Sequence, residues 1–195
     1  MPPELKELLH RYLQAARDAV VWKLDGLSAH DARRPLVPTG TNLVGLVKHL
    51  AGIEFGYFGE VFDRPVADPP DWLDAMEDEP SIDLYATESE SVDSIVALYR
   101  RAWVESDATI AELSLDALGA VPWWHPDRRE VSLQQILVHV IAETHRHAGH
   151  ADLVRELIDG QAGLRADNDN LPEGDPAWWR AYRERLEQLA RTATA

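Results

Sequence analysis

Helical periodicity over four long segments constrains this chain more than any other feature. Apolar residues recur at three- and four-residue spacings from about residues 3 to 24, 41 to 63, 89 to 113 and 133 to 158. That spacing lays one face of a helix along a core. The first segment carries Leu5, Leu8, Leu9, Tyr12, Leu13, Ala16, Val20 and Leu24, with Pro2 and Pro3 suited to a helix start and Gly26 to its end. The second carries Leu43, Leu46, Val47, Leu50, Ile53, Tyr57 and Val61, with Thr41 as expected N-cap and Asp63-Arg64-Pro65 as its end. The third carries Val92, Ile95, Val96, Tyr99, Trp103, Ile110 and Leu113. The fourth follows Ser132, runs from Leu133 to Ile158 and stops at Asp159-Gly160. Strand signals are few, so the expected class is all-α, a four-helix bundle.

The connections differ in character. Between Asp63 and Asp93 eleven acids face Arg64 alone, which reads as a solvated crossover loop. Trp72, Leu73 and Met76 are expected to anchor a short helical turn within it. The stretch 118–129, with Pro122, Pro126 and Trp123-Trp124, reads as a loop or short hairpin. Gly45, Gly52, Gly56 and Gly59 are costly inside a helix, and are expected to let a neighbouring helix approach the second segment closely. Residues 1–160 form the expected bundle. Residues 161–195 form a linker and a docking helix with Trp178, Trp179, Tyr182, Leu186 and Leu189 on its face. The glycines and the aromatic helix together suggest a homodimer.

Composition narrows function. The 195 residues, 45% of them hydrophobic, suffice for one sizeable core. There is no cysteine, so thiolate metal sites and a cysteine nucleophile are excluded, and any metal must rest on nitrogen and oxygen. A net charge of −15 argues against nucleic acid and against an anionic membrane surface. No apolar run reaches the length of a membrane span, and Met1 to Lys6 lack the layout of a signal peptide. The expected location is cytoplasmic.

The fourth segment carries the chemistry. At 100° per residue with His139 at 0°, Glu143 falls at about 40°, His147 at about 80° and His150 at about 20°. Ile136, Val140, Val154 and Ile158 fall between about 60° and 100°, so Glu143 and His147 interrupt the apolar stripe, while His145 points away. A buried carboxylate without a partner is expensive. One turn from an imidazole on the same face, it forms either an ion pair or a metal clamp. His49, three residues after Leu46 and four before Ile53, is the matching interruption of the second segment. His49, Glu143 and His147 would leave a coordination position open, the pattern of catalytic rather than structural zinc. His139 and His150, at the stripe's edge, read either as supporting residues or as candidate acid–base groups. Asp152 and Arg155 read as a surface or interface pair, and Trp123 and Trp124 as core packing or a roof over the site.

At these residues the chain resembles the DinB/YfiT-like superfamily of metal-binding four-helix bundles. Leu46-Val47-Lys48-His49-Leu50 is similar to the motif in which one metal-binding histidine stands on the second helix. Glu143 and His147-Ala148-Gly149-His150 are similar to the fourth-helix motif, in which two ligands stand four residues apart. Many members have histidine where Glu143 stands here. The mycothiol-dependent maleylpyruvate isomerase branch has His, Glu and His, and the phrase from Glu143 to Glu156 looks like a mainly actinobacterial branch. The resemblance covers about residues 1–160. It implies a divalent metal, zinc first and nickel as alternative, held by His49, Glu143 and His147. It also implies a transferase acting on a low-molecular-weight thiol such as mycothiol and an electrophilic substrate. Metal-dependent hydrolysis, with His139 or His150 as base, and non-catalytic metal binding in a stress response stand as the other readings. The isomerase's extra C-terminal domain has no counterpart in the roughly 35 residues after Gly160.

Overall fold

A computed structural model describes residues 4–193. Pro2 and Pro3 lie outside the described residues. Four long helices make the bundle: α1 (Leu5–Trp22), α3 (Leu43–Glu54), α5 (Val92–Glu112) and α6 (Leu133–Asp159). The shorter α2 (Ala29–Arg33) and α4 (Trp72–Ala75) sit in connections, and α7 (Pro176–Thr192) closes the chain. α1 packs on α6, and α3 packs on both α5 and α6. No described helix is long and apolar enough to cross a membrane.

The helix ends follow local chemistry. Ser91 and Ser132 cap α5 and α6 through backbone N–H groups three residues on, and Gly160 at φ 79° ends α6 in a left-handed turn. The cap of α3 is Asn42 rather than Thr41, because its side chain accepts from the Gly45 N–H at 2.8 Å. α3 does not run straight to Val61. It widens into a π turn at Phe55–Gly59 and tightens into a 3₁₀ turn at Glu60–Phe62 before Asp63, at φ 54°, stops it. Of the two readings of this stretch, loop or short hairpin, the structure has the hairpin: β1 (Leu118–Ala120) pairs antiparallel with β2 (Glu130–Ser132).

A polar layer splits the apolar interior into two clusters. One gathers Val20, Val44, Leu50, Ile95, Tyr99, Ala151 and Val154. The other gathers Leu13, Phe58, Ile110, Ile136, Leu137 and Val140. Between them on successive helices stand Arg17, Glu54, Ser106 and Thr144, all buried. Arg17 sits on the core side of α1 where the apolar stripe alone marked none of it, while Leu5 and Tyr12 of that stripe are exposed.

The acidic crossover is solvated on most of its carboxylates, as expected, with nine of its eleven acids exposed, but it is also anchored to the bundle. Trp72 and Asp83 are buried, and Lys48, itself buried, donates to Glu90 and to the Tyr85 carbonyl. The glycines of α3 and its π turn admit the crossover and the hairpin loop and not another long helix of the bundle. A Cβ on Gly45 would fall 1.9 Å from the Leu84 carbonyl oxygen, and one on Gly56 would lie 3.1 Å from the Trp123 ring. Arg155 also differs from its reading as a surface residue. It is buried and donates to the carbonyls of Lys23 and Asp25 beyond the end of α1, while Asp152 pairs with Lys23 at 2.6 Å. A helix end leaves carbonyls unpartnered, and Arg155 supplies donors just there. α7 forms as expected, but no residue of it is buried; Trp178, Tyr182, Leu186 and Leu189 present an open apolar side.

Candidate metal centre

α3 and α6 pack side by side, which brings His49 against the pair that α6 carries one turn apart. One ligand atom each from His49, Glu143 and His147 lies within 4.8 Å of the others. Glu143 Oε1 stands 3.0 Å from His147 Nε2 and 3.8 Å from His49 Nε2. Donors held at 2.0–2.2 Å by a tetrahedral ion are roughly 3.4 Å apart, and these two separations bracket that value. The imidazole rings of His49 and His147 meet edge to face, 4.8 Å between centroids.

The chemistry of the donors fits an ion as well as their spacing does. Asp83 Oδ2 lies 2.7 Å from His49 Nδ1. A carboxylate only accepts, so a proton sits on Nδ1, and Nε2, 3.8 Å from Glu143 Oε1, is the nitrogen left to coordinate an ion. Such a carboxylate behind a histidine orients the ring and raises its basicity toward a metal. Burial pushes the Glu143 carboxyl up, but the hydrogen bond with His147 and the charges of His147, His49 and Arg146 together hold it below its usual range. Burial and the neighbouring His49 depress His147; its Nε2, 3.0 Å from the accepting Glu143 Oε1, would have to give up its proton to coordinate an ion.

The three donors are only partly covered, with side-chain exposures of 19% for His49, 27% for Glu143 and 13% for His147. They therefore border the core instead of interrupting its centre. The buried face of α6, through Leu133, Ile136, Leu137, Val140, Thr144, Ala148, Ala151, Val154 and Arg155, is centred about 40° further round than the stripe read from the sequence. That shift leaves a route from solvent to the donors.

His139 and His150 take different places. His150 is exposed, and its Nδ1 lies 3.3 Å from Nδ1 of His147. His139 packs on Tyr57 and Trp124, with centroids 4.7 Å and 5.2 Å away. Trp123 and Trp124 both donate toward the Tyr57 hydroxyl, at 3.4 Å and 3.2 Å, and so form a roof hung on that phenol. His145 is exposed, as expected. Sequence reasoning missed Asp83. Its only signal was a carboxylate in an acidic crossover, one of eleven.

Comparison with known proteins agrees with this picture. Among solved structures, a conserved protein of Enterococcus faecalis superposes with a TM-score of 0.62 at 14% identity, over 82% of this chain and 99% of its own. At that identity the likeness concerns the fold alone. No curated protein matches. The family model described as Mycothiol-S-transferase matches residues 8–160, which span the four bundle helices and the three converging donors. The chain belongs to that mycothiol S-transferase family, within the DinB-like superfamily.

Proposed function

We propose that the protein is a metal-dependent S-transferase that joins a low-molecular-weight thiol, mycothiol in the first instance, to an electrophilic carbon. One observation carries the reading: His49, Glu143 and His147 converge, with Nε2 of His49 left to coordinate by the Asp83 contact. His49, Glu143 and His147 would hold a divalent ion, zinc by its suitability for nitrogen and carboxylate donors, and that ion would stabilise the thiolate form of the incoming thiol at neutral pH. The chain has no cysteine, so the sulfur nucleophile is a substrate and not a residue.

The chain's own groups manage position and protons. Glu143 contributes one negative charge to the donor set, and Asp83 acts as a positioning residue through His49. His150, exposed and 3.3 Å from the His147 ring, takes the proton leaving the thiol and passes it to water. The carbon–sulfur bond forms as the bond to the leaving group breaks, and the leaving group departs with its electron pair. His139, under the Trp124 edge, lies in the aromatic wall and bounds the site.

The test is elemental analysis followed by thiol consumption. Protein purified without chelator is expected to hold close to one zinc per chain. The loaded protein should consume mycothiol in step with an electrophile, forming the conjugate by mass spectrometry. Metal at that stoichiometry with no conjugate from mycothiol would reject the transferase reading. Hydrolysis of an ester or amide without any thiol would assign the hydrolase reading instead.

A further inference from the structure

A cavity of about 560 Å³ adjoins the centre on the His49 side. Its size is within the range of small-molecule sites. The π turn of α3 builds one wall. A wider turn brings consecutive residues round to one side, and Phe55, Gly56 and Tyr57 all line the space. The crossover builds the other wall through Val66, Leu73 and Met76, and Trp123 closes it. The glycines keep it shallow on the α3 side: a Cβ on Gly52 would come 3.1 Å from the Trp72 ring, and one on Gly56 equally close to Trp123.

The carboxylates that line this cavity have no cationic lysine or arginine among them. Glu60 and Asp74, both exposed, stand in its lining with the buried Asp83. Apolar walls favour a ligand with little polar surface. Carboxylates at the rim, where water screens them only in part, raise the cost of bringing in an anion. His49 is both a donor of the centre and a lining residue of the cavity, so a molecule seated here presents its reactive end toward the site where sulfur chemistry takes place.

We infer that this cavity is the acceptor subsite, and that it selects an uncharged, apolar electrophile, such as an aryl or alkyl carbon bearing a leaving group, over an anionic one of the same shape. The inference rests on the transferase reading for its reaction, but not for its binding. A polar sugar thiol does not suit these walls and approaches from the open His147–His150 side. The transfer forms one carbon–sulfur bond, releases the leaving group with its electrons and needs no oxidant or reductant.

Two fluorescent dyes of one ring frame test the binding without thiol or turnover: N-phenylnaphthylamine, which is neutral, and anilinonaphthalene sulfonate, which is anionic. Titrated into the intact protein, the neutral dye should saturate at one site and bind ~10-fold tighter than the sulfonate. Val66→Trp and, separately, Met76→Trp fill the cavity and should weaken the neutral dye by ~10-fold or more. The double variant Glu60→Gln/Asp74→Asn should bring the sulfonate to within ~3-fold of the neutral dye. Equal affinity for the two dyes in the wild type, or a neutral dye indifferent to both cavity-filling variants, overturns the subsite. A second arm compares chlorodinitrobenzene with chlorodinitrobenzoate as acceptors for mycothiol. Dye selectivity without any conjugate leaves the subsite standing and rejects the transferase reading. Conjugation that ignores acceptor charge and survives both tryptophan variants does the reverse.

Discussion

Two polar constellations interrupt the same apolar bundle and resolve their charge in opposite ways. In the mid-bundle layer, Arg17 meets Glu54 in a two-pronged contact at 2.8 Å and 2.6 Å with both side chains fully buried. The remaining guanidinium donors reach Asp107 at 2.8 Å and Gln14 at 3.1 Å, and His10 completes the group on Asp107 at 2.8 Å. The cation and its carboxylates therefore pair within the protein, although burial still pushes the Glu54 carboxyl up and the Ser106 and Tyr99 hydroxyls beside it have no hydrogen-bond partner among the described residues. At the bundle's edge, two imidazoles and Glu143 converge, with Asp83 behind them. Neither carboxylate there has a lysine or arginine in ion-pair contact among the described residues. Ligand atoms and negative charge converge on one place. A core can tolerate buried charge when its partners lie within the protein; the His49–Glu143–His147 group could instead hold an ion.

That contrast can be broken from either side. Removing the cation of the closed cluster should have the largest effect on folding. Arg17→Leu leaves Glu54 a buried, unpaired carboxylate and should cost about 3–5 kcal/mol in urea unfolding. Metal content per folded chain should not change. A loss below about 1 kcal/mol would mean that water or a neighbour satisfies Glu54.

The open cluster should respond in the converse manner. His147→Ala should drop bound zinc from about one per chain to near none by elemental analysis, while its apo form unfolds close to the wild-type apo form. For the wild type, stripping the ion should lower stability by roughly 2.7–4.1 kcal/mol when free metal had exceeded its dissociation constant about 100- to 1,000-fold. An apo protein that fails to fold at all would show a structural metal, and the contrast between the two clusters would collapse.

Asp83 sharpens the comparison, because it touches His49 and would act on an ion only through that ring. Asp83→Asn should weaken zinc affinity by ~10- to 100-fold in competition with a chromogenic chelator. The effect should vanish in a His49→Ala background. Unchanged affinity would reduce Asp83 to a packing residue of the crossover.

The smallest effect concerns the strap that holds the crossover in place. Burial alone pushes the Glu90 carboxyl up, but the Thr87 N–H and the Lys48 ammonium together hold it below its usual range. A depressed folded value contributes stability that is present above the unfolded value and lost as pH falls through the folded one. Glu90→Gln should therefore cost about 0.5–1 kcal/mol near pH 7. The gap to wild type should close near about pH 3. A gap that persists in acid would assign the loss to shape rather than charge.

Periodicity and capping chemistry are local, and the chain wrote them plainly. The spans of α5 and α6, the stop at Gly160 and the one-turn pairing of Glu143 with His147 all follow from contacts within a few residues along a helix. His49 was legible for the same reason, as a polar break in the stripe of Leu46, Leu50 and Ile53. Tertiary structure decided what lies across from these residues. Which of the crossover's acids would sit behind His49, 34 positions away, depends on the path of the whole segment over the α3 glycines. The match of Arg17 to Glu54, 37 positions apart, depends on how α1 sits against α3. The rotation of α6 that put Glu143 and His147 at the edge of the core, mostly covered but reachable from solvent, depends on packing with α1 and α3 together. Helical period is set by backbone geometry residue by residue, whereas partner choice across helices is set by the sum of many weak side-chain contacts, and no short window of sequence contains that sum.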